Sequence, residues 1–129
     1  MIIGFDIDDT ITRHPEFFSL ITHALINAHH EVVIITFRED PQAAQTDLNL
    51  WNIAYSKLIT SSLDDCFEHG VNEWKAVVCR RHAIEIFFED DPDVIKHVDE
   101  STICMMPVDK TIHKLIKIEG VESAYTNKE

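Results

Sequence analysis

The sequence predicts a three-layer αβα fold in which about five parallel strands form one sheet between two layers of helices. Three observations predict it. Short apolar runs without helical periodicity alternate with segments whose apolar residues recur at helical spacing. Two of the helical segments begin with Asp-Pro, and no hairpin signal joins consecutive strands. Strands that alternate with helices pair in parallel through right-handed crossovers.

The first strand, the first helix and the second strand are predicted as follows. Residues 2–7 and 32–36 are flat apolar runs, typical of strands that are buried on both faces. Between them, Pro15 suits the first turn of a helix. The predicted core stripe of this helix consists of Phe17, Leu20 or Ile21, Ala24 and Ala28.

The second helix begins at Asp40-Pro41, an N-cap residue followed by proline at the first helical position. A weaker strand is predicted at 56–60, and residues 61–71 are interpreted as a loop. The predicted apolar face of the second helix consists of Ala44, Leu48 and Trp51.

In the second half of the chain, Asn72 is predicted to cap a helix that carries Trp74, Val77 and Val78. Residues 84–88 and 102–106 are predicted strands, and Asp91-Pro92 opens a short helix between them. Together these elements predict one domain over 1–129, with a core at 1–106 and a C-terminal helix and frayed tail at 107–129. The helix is predicted from Ile112, Leu115 and Ile116, and the frayed part is 120–129.

The composition excludes several classes of function. Eleven Lys and Arg against 23 Asp and Glu give a formal net charge of −12, which repels phosphodiester backbones and disfavours nucleic acid as a partner. The three cysteines form no CxxC pair, so buried and inert thiols are expected. No apolar run approaches the roughly 20 residues of a membrane-spanning helix. The N-terminus also lacks a basic leader, so we expect a cytoplasmic protein with no membrane partner.

Acidic residues follow two of the predicted strands. Asp6, Asp8 and Asp9 follow the first strand, and residues 89–91 follow the fourth. If these two strands are neighbours, six carboxylates converge at one edge of the sheet, where ligands bind in such folds. Carboxylates at that spacing cannot all ionise without a compensating cation, and hard oxygen ligands favour Mg²⁺.

Four motifs occur in order at strand ends or at a helix start. They are Asp6-Ile7-Asp8-Asp9-Thr10, Thr36 at the end of the second strand, Lys75 near the start of a helix, and Glu89-Asp90-Asp91. In order, spacing and context they resemble the haloacid dehalogenase (HAD) superfamily of phosphohydrolases. The resemblance covers about residues 1–106 and implies a Rossmann-like core.

The resemblance implies a Mg²⁺-dependent phosphatase. Asp6 would attack phosphorus and form an aspartyl-phosphate, and Asp8 would act as general acid and then as general base. Thr36 would hydrogen-bond a phosphoryl oxygen, and Lys75 would pair with Asp6 and the phosphate. Mg²⁺ would be held by Asp6, the backbone carbonyl of Asp8, and Asp90.

The sequence does not decide which residues of Glu89-Asp90-Asp91 bind the metal directly. Asp91 precedes Pro92 and suits a helix N-cap, which makes Asp90 the preferred ligand. Asp91 and Glu89 are further candidates for the metal. Glu89 departs from the Asp or Gly that is usual in this motif.

The gaps between the motifs leave no room for a cap domain, because one helix fills the gap after Thr10, and one helix, one strand and a loop fill the gap between Thr36 and Lys75. Capless members of the superfamily have open sites, and they act on large substrates or are covered by a neighbouring subunit. The expected substrate is therefore a small phosphorylated metabolite, with a homo-oligomer covering the site, or a phosphoprotein. Near Thr36, Phe37 is a candidate for substrate contact, and a surface role is preferred for Arg38.

Two other functions remain open. One is a HAD-like fold that keeps these residues but serves as a non-catalytic binding or regulatory subunit. The other is a phospho-receiver signalling domain, which fits poorly because the third strand ends in Thr60-Ser61-Ser62 rather than in a phosphoacceptor aspartate.

Overall fold

A computed structural model describes residues 1–108 of the chain. The helix predicted from Ile112, Leu115 and Ile116, and the tail predicted at 120–129, lie outside the described residues. Within 1–108, no helix is both long enough and apolar enough to cross a membrane.

The strands form one five-stranded parallel sheet in the order β3-β2-β1-β4-β5. The predicted parallel sheet is therefore confirmed, and β1 and β4 are neighbours. Phe5 pairs with Phe88 at the carboxyl ends of these two strands, so the residues that follow them emerge side by side. The strands are β1 (Ile2–Phe5), β2 (Glu31–Thr36), β3 (Lys57–Thr60), β4 (Ile86–Phe88) and β5 (Ile103–Met105).

Helices cover both faces of the sheet, and a hydrophobic core lies on each side. On one face, α1 and α2 pack against alternate residues of β1 and β2, such as Phe5 and Ile34. On the other face, α4 and α5 pack against Ile35 and Phe87. This arrangement confirms the three-layer αβα architecture. The helices are α1 (Pro15–Asn27), α2 (Pro41–Leu50), α3 (Leu63–His69), α4 (Trp74–Arg81) and α5 (Pro92–Ile95).

Both Asp-Pro signals begin helices as predicted. The Asp40 side chain accepts hydrogen bonds from the backbone N–H groups of Gln42 and Ala43 at the start of α2. The Asp91 side chain accepts one from the N–H of Asp93 at the start of α5. In each case the aspartate satisfies backbone donors that the first turn of a helix leaves free.

The predicted core stripe of α1 is wrong except at Ile21, which packs against the core. Phe17 and Leu20 are 45% and 69% exposed, whereas Phe18 and Thr22 are buried. Phe18 sets the phase of this helix, because its ring lies edge-on against Phe5 at 5.9 Å. The Thr22 hydroxyl donates to the carbonyl of Phe18 at 2.7 Å, so a polar residue can occupy the buried face.

The region between β3 and α4 also differs from the prediction. Residues 61–71 were expected to form a loop, but Leu63–His69 is a helix that Ser62 caps through the N–H of Asp65. The helix was not predicted because its apolar side chains, Leu63 and Phe67, are exposed and do not form a stripe that packs against the core. Asn72 is not the cap of α4, since that position is occupied by Glu73.

Candidate active site

The carboxyl ends of β1 and β4 border a cavity of about 230 Å³. Ligands bind at this edge in open parallel sheets. The predicted convergence of acidic residues is found here, since Asp6, Glu89 and Asp90 offer carboxylate oxygens that all lie within 4.8 Å of one another. The cavity is lined by Asp6, Asp8, Asp9, Phe37, Lys75, Glu89, Asp90 and Asp91.

A buried cation lies between two of these carboxylates. The Nζ atom of Lys75, near the start of α4, is 2.7 Å from Asp6 Oδ1 and 2.7 Å from Glu89 Oε1. All three side chains are buried. Burial opposes the charge on Lys75, but the two adjacent carboxylates outweigh it and raise its pKa. The ring of Phe37 lies 4.4 Å from Nζ and adds a cation–π contact.

Glu89 is occupied by contacts within the protein. One carboxylate oxygen pairs with Lys75, and the other accepts a hydrogen bond from the backbone N–H of Asp90 at 3.0 Å. Burial raises the pKa of Glu89 to about 9, against the opposing effect of Lys75, and the nearby charge of Asp6 raises it further. Glu89 thus holds Lys75 and the backbone that follows β4.

Asp90 is half-buried and faces Asp6. The hydroxyl of Thr10 lies between them, 3.2 Å from Asp6 Oδ2 and 3.3 Å from Asp90 Oδ1. Burial raises the pKa of Asp90, and so does its hydrogen bond with Asp6. The sequence predicts no separate role for Thr10, because the spacing of the motif does not reveal that the Thr10 side chain turns back towards Asp6.

The donor set at this position fits a hard divalent cation. Asp6, Glu89 and Asp90 provide only carboxylate oxygens, and Lys75 is the buried cation among them. Lys75 contacts Asp6 and Glu89, so one lysine faces three acidic groups and negative charge is left for a further cation to compensate. Carboxylate ligands favour Mg²⁺ or Ca²⁺ over Zn²⁺. One Asp91 oxygen accepts from the N–H of Asp93 at 2.9 Å, so capping already engages this candidate ligand.

Asp8 lies at the rim of the cavity and is paired with Arg38. Its side chain is 58% exposed, and Arg38 holds both of its oxygens, with Nε 3.0 Å from Oδ2 and Nη2 2.8 Å from Oδ1. The hydrogen bonds from Arg38 lower the pKa of Asp8. The surface role preferred for Arg38 is therefore incomplete, since it also contacts a residue of the site.

Thr36 is buried at the end of β2 and does not line the cavity. Its hydroxyl oxygen accepts a hydrogen bond from the backbone N–H of Arg38 at 3.1 Å. Phe37, the next residue, does line the cavity and lies 5.6 Å from the ring of Trp74.

One solved structure supports the fold. A chain of the Pnkp1/Rnl/Hen1 RNA repair complex superposes on 82% of this chain with a TM-score of 0.62 and 15% sequence identity. The fold is Rossmann-like. This chain spans 42% of the length of that one. A Vibrio cholerae protein assigned as a 3-deoxy-D-manno-octulosonate 8-phosphate phosphatase matches 88% of this chain and 70% of its own, with a TM-score of 0.48 and 17% identity. No protein-family model and no curated protein matches the sequence.

Proposed function

We propose that this chain is a Mg²⁺-dependent phosphatase of the HAD superfamily, which hydrolyses phosphate monoesters through an aspartyl-phosphate on Asp6. One observation carries the proposal. Asp6 is held 2.7 Å from Lys75, and Asp90 lies beside it at the tip of the neighbouring strand. The arrangement supports Asp6 as a carboxylate nucleophile, Lys75 as a cation that offsets the phosphoryl charge and Asp90 as a metal ligand in the same cavity.

In the proposed reaction, an Asp6 oxygen forms a bond to phosphorus as the bond between phosphorus and the ester oxygen breaks. Asp8 takes up a proton, against the hydrogen bonds from Arg38 that favour its ionised form, and gives this proton to the departing oxygen. It then takes a proton from a water molecule, which attacks the aspartyl-phosphate and releases inorganic phosphate and Asp6. Lys75 offsets the negative charge of Asp6 and of the phosphoryl group. The hydrogen bond predicted from Thr36 to a phosphoryl oxygen is not part of the proposed reaction, because Thr36 is buried and does not line the cavity.

Mg²⁺ would be held by Asp6, Asp90 and the backbone carbonyl of Asp8. When bound, it would compensate the charge on the phosphoryl oxygens. Asp91 and Glu89 are weaker candidates, since a helix cap engages Asp91 and Lys75 engages Glu89.

The substrate class we propose is a small phosphorylated metabolite, with a second copy of the chain over the open rim, or a phosphoprotein. We propose that the chain acts on either class of substrate in the cytoplasm. Phosphorylated nucleic acid ends are disfavoured by the net charge of −12. A panel of phosphorylated sugars, amino acids, nucleotides, peptides and oligonucleotides, read by phosphate release, separates these classes. Preferential release from oligonucleotide ends would contradict the exclusion.

The function is tested by hydrolysis of p-nitrophenyl phosphate with Mg²⁺ and with a chelator. We expect activity with Mg²⁺ alone and a loss of roughly 1,000-fold or more in Asp6→Asn. Asp9→Asn is the matched control, because Asp9 lines the same cavity with a left-handed backbone that asparagine tolerates. It should keep activity within a few-fold.

The alternatives give different results in the same assay. Activity that persists in Asp6→Asn contradicts the assigned nucleophile. Binding of phosphorylated ligands without any turnover favours a non-catalytic subunit. Stable phosphorylation by acetyl phosphate without turnover favours a receiver domain.

A further inference from the structure

We infer that Arg38 is a positioning residue, which holds Asp8 where it can transfer a proton to the leaving group. This inference rests on the proposed function. It arises from a contact that the phosphatase proposal does not use, the paired hydrogen bonds between Arg38 and the carboxylate of Asp8.

Asp8 needs an external support to keep a fixed orientation. Its side chain lies in the turn after β1 and is 58% exposed. The neighbouring Asp9 adopts a left-handed backbone conformation with a φ of 62°, which turns the chain sharply at this point. An exposed aspartate in a turn samples several rotamers unless a partner selects one. Two hydrogen bonds from one planar guanidinium select both the position and the plane of the carboxylate.

Arg38 is itself anchored from several directions. Its Nη1 atom lies 2.6 Å from Asp47 Oδ2 on α2. Its backbone N–H donates to the Thr36 hydroxyl at 3.1 Å, and its carbonyl accepts from the N–H of Ser61 at 3.1 Å, just after β3. Arg38 therefore links Asp8 to three elements, because its guanidinium contacts α2 and its backbone contacts the end of β2 and the residue that follows β3.

A proton donor depends strongly on its position. A displacement of about 1 Å can cost a factor of about 100 in rate, and general acid catalysis contributes about 100- to 10,000-fold. The contribution is largest when the departing oxygen is a poor leaving group. If Arg38 acts by orienting Asp8, its loss should therefore matter most for alkyl phosphates and least for p-nitrophenyl phosphate.

The test compares wild type, Arg38→Lys and Asp8→Asn on p-nitrophenyl phosphate and on glycerol phosphate. Lysine keeps the charge but not the paired geometry. For Arg38→Lys we expect kcat to fall less than about tenfold on p-nitrophenyl phosphate and about 100-fold on glycerol phosphate, with little change in KM. Asp8→Asn should show the same substrate selectivity, and the double variant should be no slower than Asp8→Asn.

Two further variants control the experiment. Asp47→Asn removes an anchor of Arg38 and should give a weaker form of the same selectivity. Arg80→Lys alters a comparable exposed pair, in which Arg80 lies 3.1 Å from Asp99. This variant should leave kcat unchanged on both p-nitrophenyl phosphate and glycerol phosphate. Exposed ion pairs contribute little to stability, so all of these proteins should fold. Circular dichroism melting curves check this.

Three results would overturn the inference. They are equal losses of kcat on both substrates, a raised KM at unchanged kcat, and additive effects of Arg38→Lys and Asp8→Asn. Absence of hydrolysis by wild type on either substrate is a different outcome, because it rejects the proposed function and the inference with it.

Discussion

Lys75 balances the charges of two carboxylates that are too close to be buried alone. Its Nζ atom contacts Asp6 and Glu89 at 2.7 Å each, and neither acid is exposed. A buried ion pair can contribute little net stability, yet removal of one partner leaves a desolvated charge without compensation. Loss of the lysine is therefore expected to cost much more than loss of one of the acids.

We predict that Lys75→Met destabilises the protein by about 3–5 kcal/mol. Adding Glu89→Gln should recover part of this loss, because glutamine neither has to take up a proton on folding nor can become a charge beside Asp6. Urea denaturation in the presence of a chelator measures both variants. Lys96→Met is the matched control, since Lys96 forms an exposed pair with Asp93 at 3.1 Å, and its effect should stay within about 0.5 kcal/mol. No recovery in the double variant would contradict the assigned cost of burying Glu89 without Lys75.

The raised pKa of Glu89 makes stability depend on pH. Burial raises this pKa to about 9, above the value of about 4.3 for the unfolded chain. The folded state therefore binds a proton that the unfolded state has already released. The resulting stability is fully present below the unfolded pKa and is lost as pH rises towards 9.

We predict that Glu89→Gln gains stability relative to wild type as pH rises from 5 to 8. Glutamine cannot release the proton, so the difference in free energy of unfolding should grow by more than about 1 kcal/mol over this range. Urea titrations at several pH values, without divalent metal, measure the difference. Glu39→Gln, which alters an exposed side chain, supplies the baseline. A difference that stays constant with pH would show that Glu89 is ionised throughout.

At the scale of elements, α2 depends on its cap. Asp40 Oδ1 accepts from the N–H groups of Gln42 and Ala43 at 3.0 and 3.2 Å. We predict that Asp40→Ala lowers the free energy of unfolding by about 1 kcal/mol, whereas Asp40→Asn, which keeps an acceptor, has a smaller effect. Urea denaturation of both variants checks this. Equal losses would indicate that the negative charge matters rather than the acceptor.

The elements that the sequence predicts well are those with a strong local cause. β2 is apolar because helices cover both of its faces. Asp40 and Asp91 each accept hydrogen bonds from backbone N–H groups in the first turn of the helix that they begin, so these helix starts depend on local sequence alone. The phase of α1 depended on the rings of Phe5 and Phe88, which are distant in sequence. Leu63 and Phe67 of α3 are exposed to solvent. The sequence of this helix therefore lacks the buried apolar stripe by which a helix is predicted.

The candidate site was likewise predictable only where the sheet topology determines it. Sheet topology brings Asp6 and Asp90 together, because the two strands that precede them are neighbours. The contact between Lys75 and Asp6 was expected from the resemblance, but the contacts of Asp8 with Arg38 and of Asp6 with Thr10 were not, since they depend on where side chains turn. Arg38 reaches across to Asp8, and the hydroxyl of Thr10 turns back towards Asp6. Spacing along the chain does not encode either contact.

At the scale of the whole molecule, charge repulsion opposes folding. The formal net charge is −12, and part of it is concentrated in the carboxylates around the cavity. Any added salt screens this repulsion, so both KCl and MgCl₂ are expected to stabilise the protein. A specific metal site adds a second effect that depends on the free Mg²⁺ concentration relative to its dissociation constant.

We predict that Mg²⁺ raises the melting temperature more than KCl does at equal ionic strength, and that the excess saturates. Binding to the folded state alone adds about 2.7 kcal/mol when Mg²⁺ reaches 100 times its dissociation constant. Asp90→Asn should lose the excess and keep the response to KCl. Asp64→Asn changes the net charge equally on an exposed helix away from the cavity, so it should keep both responses. An equal excess in all three proteins would mean that Mg²⁺ acts through the overall charge rather than at Asp90.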